Sequence, residues 1–310
     1  MPDLPLVSIM TPSFNQGQFL EQTICSVLEQ DYPQIEYLII DGGSTDGSLE
    51  IIRRYADRLA QWVSEPDRGQ SHAINKGLQR ARGDILGWLN SDDLLLPGTV
   101  SRVVQAFRSH PDVDVVYGRL ERIDAQGRLV PTPILPKDRV TFNQSLVIGE
   151  CVVNQPGSFW RRSATEKVGC LDENLIYAMD YEYWIRLALA GMAFLRLDEP
   201  VARFRLSSAS KTVGQTARMA VEQLSVLDRL LAEPGLSARL EIHPSQMKRQ
   251  ARQARSTIAL HAFYGFFKTR HYRQAAHWLG RAVASDPGIL FQRRWVDLAI
   301  SGLRRRLNWL

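Results

Sequence analysis

Four short segments hold most of the side chains able to do polar chemistry: Thr11-Pro12-Ser13-Phe14-Asn15, Asp41-Gly42-Gly43-Ser44-Thr45-Asp46, Glu65-Pro66-Asp67-Arg68-Gly69-Gln70 and Trp88-Leu89-Asn90-Ser91-Asp92-Asp93. Neither G-x-G-x-x-G after the first apolar run nor G-x-x-x-x-G-K-[ST] occurs, so the glycine-rich amide cradles for phosphate are missing. Clustered carboxylates repel phosphate unless a hard divalent cation lies between them. One or two Asp plus substrate phosphates are the economical shell for Mg²⁺ or Mn²⁺. The pattern therefore predicts metal-dependent handling of a nucleoside diphosphate. A fifth segment, Ala178-Met179-Asp180-Tyr181-Glu182-Tyr183-Trp184, offers carboxylates that could take a proton. Glu182 has Arg186 at i+4 and is expected in an ion pair.

Each residue has a plainer reading. Asp41 and Asp46 suit turns and helix caps, as do Asp92 and Asp93, and Asp180 could cap the helix that follows it. Arg68 and Lys76 could be solvated surface charges. Against this, two adjacent like charges at a strand end are costly without a counter-cation.

The elements that must position these segments follow one grammar. β-rich apolar runs at 6–11, 36–40, 59–64 and 85–89 each lead into one of the four loops and then into a helical period, and a fifth apolar run lies at 113–117. Such alternation predicts an α/β fold with a mostly parallel sheet flanked by helices, its ligand lying beyond the carboxyl ends of the strands. After 117 the alternation fails through Pro131, Pro133 and Pro136. From about residue 215 the pattern is helical. There Ala259, Phe263, Phe266, Tyr272, Ala275, Leu279, Ala282 and Pro287 have the spacing of one tetratricopeptide-type helix pair, or equally of a generic antiparallel pair. The expected domains are 1–214 and 215–310.

Composition sets outer bounds. With 310 residues, 45% hydrophobic and 23% charged, the chain is neither a disordered tail nor a disulfide mini-protein. Cys25, Cys151 and Cys170 lie far apart without C-x-x-C spacing, as expected of reduced thiols. No run approaches the roughly 18 apolar residues of a spanning helix, and the first residues do not read as a signal peptide. The expected place is the cytoplasm, or the inner face of its membrane. Residues 1–200 hold 19 Lys+Arg against 27 Asp+Glu, whereas 201–310 hold 19 against 6. Within that basic part, 291–310 puts Phe291, Trp295, Leu298, Ala299, Leu303 and Leu310 near one helical face with arginines mostly off it, which suits peripheral contact with an anionic membrane. No nucleic-acid-binding module is recognisable, and no such partner is expected.

Taken in order and spacing, VSIMTPSFN, IDGGSTDG, SEPDRGQSHAINKG and GWLNSDD resemble the family 2 inverting glycosyltransferases with the nucleotide-sugar-binding GT-A fold, over about residues 5–210. The resemblance implies a nucleotide-sugar donor, with a UDP-sugar the first choice, and a sugar or lipid-linked acceptor hydroxyl, as in surface polysaccharide or glycoconjugate assembly. It implies that the first loop (Thr11, Pro12, Ser13 and Asn15) and Asp41 face the nucleotide, and that Asp67, Arg68, Asn75 and Lys76 complete its pocket. Asp93 would bind Mn²⁺ or Mg²⁺, Asp92 would contact ribose or metal, and Asp180 would be the base. Met179 stands where relatives commonly carry Glu. Ser207 stands where a late His is common, with Arg205, Ser210 or Lys211 as substitutes. A processive synthase is not expected without spanning helices. The alternatives are a non-catalytic sugar-nucleotide-binding scaffold and a nucleotidyltransferase.

Overall fold

The computed structural model describes residues 4–131, 153–207 and 215–291, which fall into two compact units divided near residue 214. The first unit runs β1 (Val7–Ser13), α1 (Gly17–Leu28), β2 (Ile35–Asp41), α2 (Ser48–Arg54), β3 (Gln61–Ser64), α3 (Gln70–Arg80), β4 (Ile85–Trp88), β5 (Leu94–Leu95) and α4 (Thr99–Ser109). It continues with β6 (Val115–Asp124), β7 (Leu129–Val130), β8 (Ser158–Arg161), α5 (Arg162–Val168), α6 (Met179–Leu189) and β9 (Phe194–Leu206). All seven residues of β1 and all four of β4 are buried, as expected of central strands covered on both faces. Helix α1 turns Phe19, Leu20, Thr23, Ile24 and Val27 inward at helical spacing.

The strands form one sheet in the order β3-β2-β1-β4-β8-β6-β9-β5, with β7 paired to β6. The half built from β3, β2, β1 and β4 is parallel, as the strand-loop-helix grammar predicts. The other half is mixed: β8 lies antiparallel between β4 and β6, and β9 runs parallel to β6. The fifth apolar run therefore does not add to the parallel half; it extends to Asp124 and turns into the β6–β7 hairpin. In β9, Pro200 sits where the β6 register shifts, a place that tolerates the missing N–H. The result is an α/β fold with a mixed sheet flanked by helices, of the kind the resemblance to the GT-A fold implies.

Close approach fixes Gly83 between α3 and β4. A methyl there would come within 2.6 Å of Ser8 N and 2.7 Å of Leu6 O, both backbone atoms that cannot swing aside. Gly83→Ala is expected to cost about 1–3 kcal/mol by overpacking, read as a lower denaturation midpoint. An unchanged midpoint would contradict this packing.

The second unit contains α7 (Thr216–Leu231), α8 (Leu236–Arg239), α9 (Pro244–Lys268) and α10 (Tyr272–Ser285). Helices α9 and α10 form a hairpin that buries Ala259, Ala275, Trp278 and Ala282, and Ser256 donates to Ala282 O at 2.8 Å. At 25 residues α9 is much longer than half of a roughly 34-residue tetratricopeptide unit, and Tyr272 is exposed. Among the described residues no helix is long and apolar enough to cross a membrane. Apart from Phe291, the 291–310 segment lies outside the described residues, as do Ser210 and Lys211.

Candidate active site

In the parallel register Ser13 stands opposite Asp41, and Asp41 opposite Ser64, so the first three loops leave the sheet side by side. The second loop is built on Asp41. Its buried carboxylate accepts from Gly43 N at 3.1 Å, Ser44 N at 2.9 Å, Ser44 Oγ at 2.5 Å and Ser64 Oγ at 2.7 Å. Asn15, held at a left-handed φ of 52°, ties the first loop to the second by accepting from Thr45 N at 2.9 Å. Asp46 accepts from Gly17 N and Ser48. Burial alone would raise its pKa, but these donors hold the carboxyl below its usual value.

Three of the predicted nucleotide residues organise the protein itself. Asp41 is fully buried by the bonds just described. Thr11 is buried, with its hydroxyl 3.0 Å from Tyr37 Oη. Asn75 clamps Leu171, donating to its carbonyl at 3.0 Å and accepting from its N–H at 2.9 Å, and thereby pins the segment that leads to α6.

The open part of the pocket lies beside them. Phe14 is 59% exposed. A methyl on Gly42 would meet Asp67 Oδ2 at 2.6 Å and Phe14 Cδ2 at 3.3 Å, so an aromatic ring, a carboxylate and a bare backbone share one spot. Nearby Ser13 Oγ is buried without a hydrogen-bond partner. Sequence reasoning missed Phe14, although its place between Ser13 and Asn15 was a signal.

The two cations of the third loop are already paired. Arg68 is bound to Glu173, and Lys76 Nζ lies 2.8 Å from Glu65. Glu173 also accepts from Asn75 at 3.0 Å. That bond, followed by Arg68, holds its carboxyl below the usual range. Arg68 is 68% exposed in its pair, which is therefore weak and exchangeable, whereas Lys76 is only 13% exposed in its own.

The loop after β4 has the strongest electrostatics. Asp93 is fully buried, accepting from Arg205 N at 3.0 Å and from Asn90 Nδ2 at 3.3 Å. Burial first, and then the charge of Asp92, push its carboxyl well above the usual range. The counter-cation within the chain is Arg205, whose guanidinium donates to Asp92 O, Gln22 Oε1, Asp124 O and Ala125 O. Those four bonds make Arg205 an anchor of this loop. Asn90 joins the surrounding parts: it accepts from Gln70 at 2.6 Å and donates to Gln155 at 2.8 Å, and Gln155 donates to Trp88 O at 2.8 Å. Among the described residues no three acidic, His or Cys side chains gather as a metal cage.

Asp180 is half-buried in the first turn of α6, whose N-cap is Ala178 without a side-chain cap bond; Asp180 is therefore not the cap. Glu182 is held by Arg186 through two bonds of 2.8 and 3.0 Å, the expected ion pair. Met179 is buried against α3, where Ser71 Oγ lies 3.0 Å from its sulfur. Trp184, one helical turn after Asp180, stacks on Trp88 at 5.8 Å and 2°. That stack ties the helix bearing Asp180 to the strand that delivers Asp92 and Asp93.

Comparison with known proteins adds three findings. Residues 8–169 match the glycosyl transferase family 2 profile. An uncharacterized glycosyltransferase of Mycobacterium tuberculosis is 33% identical over 195 residues, 61% of this chain and 71% of that protein. Another, from Nostoc, is 25% identical over 280 residues, 84% of this chain and 86% of its own. Two solved structures share the fold. The mannosyltransferase PcManGT of Pyrobaculum calidifontis, in complex with GDP-Man and Mn²⁺, has TM-score 0.63 and 20% identity over 99% of this chain and 81% of its own. Residues 1–349 of S. aureus TarS, in complex with UDP-GlcNAc, have TM-score 0.58 and 16% identity over 91% of each chain.

Proposed function

The chain belongs to glycosyl transferase family 2, and from that premise we propose that it moves one sugar, with inversion, from a nucleotide-sugar to an acceptor hydroxyl. The observation that carries this reading is the convergence of the first three loops at adjacent strand ends, with the Asp180 helix docked on β4 through the Trp88–Trp184 stack. A base with an N–H on its edge, uracil in a UDP-sugar or guanine, suits the spot where Phe14 offers a face and Asp67 an acceptor. Arg68 and Lys76 would exchange their carboxylate partners, Glu173 and Glu65, for the diphosphate, a stronger anion with more acceptor oxygens.

The donor set fits a hard divalent ion. Asp93 is a buried carboxyl whose raised pKa means that Arg205 does not fully balance it, and Asp92 adds a second oxygen donor. Two carboxylates with substrate phosphates suffice for Mg²⁺ or Mn²⁺ without a protein cage. PcManGT, solved with Mn²⁺, agrees with such use. When bound, the ion would supply charge stabilisation to the leaving diphosphate. Asp180 would take the acceptor hydroxyl proton as that oxygen bonds to C1 and the C1–O bond to the diphosphate breaks. The acceptor we propose is a sugar or lipid-linked glycan of surface polysaccharide or glycoconjugate assembly, reached from the inner membrane face with help from 291–310.

A thermal-shift panel of nucleoside diphosphates and nucleotide-sugars with Mn²⁺ tests the donor, because a ligand that binds only the native state raises its stability. One nucleotide series should shift the midpoint, and no shift with any nucleotide would overturn the reading. Phe14→Ala should weaken nucleotide affinity about 10-fold or more, the usual size of one base-stacking contact. Unchanged affinity by calorimetry would remove Phe14 from the base site.

A further inference from the structure

Between Glu241 and Asp286 the chain carries eight Lys and Arg and no acidic residue. Two of these cations, Arg255 and Arg281, reach Asp228 at 2.7 and 3.9 Å. Three others, Lys268, Arg270 and Arg273, are exposed around the turn that joins α9 to α10, where Arg270 adopts a φ of 63°. At the same turn Phe267 is 43% and Tyr272 53% exposed, although both are large hydrophobic residues. Phe263, Phe267 and Tyr272 form a chain of rings with centroids 5.7 Å apart at each step. The tip of the hairpin is thus an apolar knob ringed by cations, with no carboxylate from its own two helices to neutralise them.

We propose that this α9–α10 corner docks on an anionic lipid surface. Aromatic rings favour the boundary between headgroups and acyl chains, and flanking cations gain from anionic headgroups. A nucleic-acid strand fits less well: Phe267 and Tyr272 meet at 69°, edge to face, and so do not form the open flat platform on which bases stack. The proposal is independent of the donor, the metal and the 291–310 segment.

The test uses the full chain with vesicles of phosphatidylglycerol and phosphatidylcholine, and with phosphatidylcholine alone. The chain should sediment with the anionic vesicles at low salt and be released by high salt, and backbone amides of 264–273 should gain exchange protection. Phe267→Ala with Tyr272→Ala should reduce partitioning about tenfold, as should Lys268→Gln with Arg273→Gln. All four positions are exposed, so the fold should persist, as checked by thermal melting, and nucleotide affinity should not change. Binding without protection of 264–273, or equal binding by the ring variant, would overturn the proposal. So would protection of the same amides by a single-stranded oligonucleotide but not by vesicles.

Discussion

Asp180→Asn should lose about 10²- to 10⁴-fold in kcat while its donor affinity stays near that of the parent. The amide keeps the size of the side chain and its acceptor oxygen toward Tyr181 N, which lies 2.7 Å from Asp180 Oδ1. It cannot take a proton. Ala178 rather than Asp180 occupies the N-cap, so the substitution leaves the cap residue in place, and thermal melting of the variant separates a fall in rate from fraying of α6. The rival base, Glu182, is gripped by Arg186, which also donates to Val168 O at 2.7 Å and Cys170 O at 2.8 Å. Glu182→Gln should therefore lower stability more than turnover. Near-native turnover of Asp180→Asn, or an equal loss of kcat in Glu182→Gln at unchanged stability, would move the base elsewhere.

Asp93→Ala should abolish the metal dependence of nucleoside diphosphate binding, with donor turnover falling alongside. In the parent, EDTA should remove UDP binding and Mn²⁺ or Mg²⁺ restore it, because carboxylates and phosphate oxygens repel without an intervening cation. Asp93 also accepts from Arg205 N and Asn90, so the variant must be shown to melt near the parent temperature. Asp93→Asn keeps the acceptor for Arg205 N and removes the charge, which separates structure from metal binding. Calorimetric titration of Mn²⁺ with UDP present reads this without turnover. Tight UDP binding in EDTA would take the metal out of the account.

How far the sequence reveals these parts follows from what each depends on. The parallel half was legible because β1, β2 and β4 are short apolar runs followed by loops rich in Gly, Asp and Pro and then by amphipathic helices. The mixed half was not. β8 is only four residues long, and β9 carries Arg196, Asp198, Glu199 and Pro200 within an apolar alternation, a pattern that discourages a strand assignment until the bulge against β6 is seen. The carboxylates of the site were visible as residue types at strand ends, but their partners were not. Arg205 is 112 residues from Asp93 and Glu173 is 105 from Arg68, so their pairing is a product of the sheet order and not of local spacing. The same holds for Asn75, whose amide reads as a ligand in the motif and is engaged by Leu171 in the fold.

As proposed, the chain breaks the C1–O bond of a nucleotide-sugar with inversion and passes the sugar to a hydroxyl. The most direct measurement is proton magnetic resonance of the anomeric signal during incubation with UDP- and GDP-sugars, Mn²⁺ and simple sugar or lipid-linked acceptors. Nucleoside diphosphate should be released together with a new anomeric signal of configuration opposite to that of the donor, both lost in Asp180→Asn. A product that retains the donor configuration, or a nucleotide-sugar that binds and is never cleaved with any acceptor, would contradict the proposal.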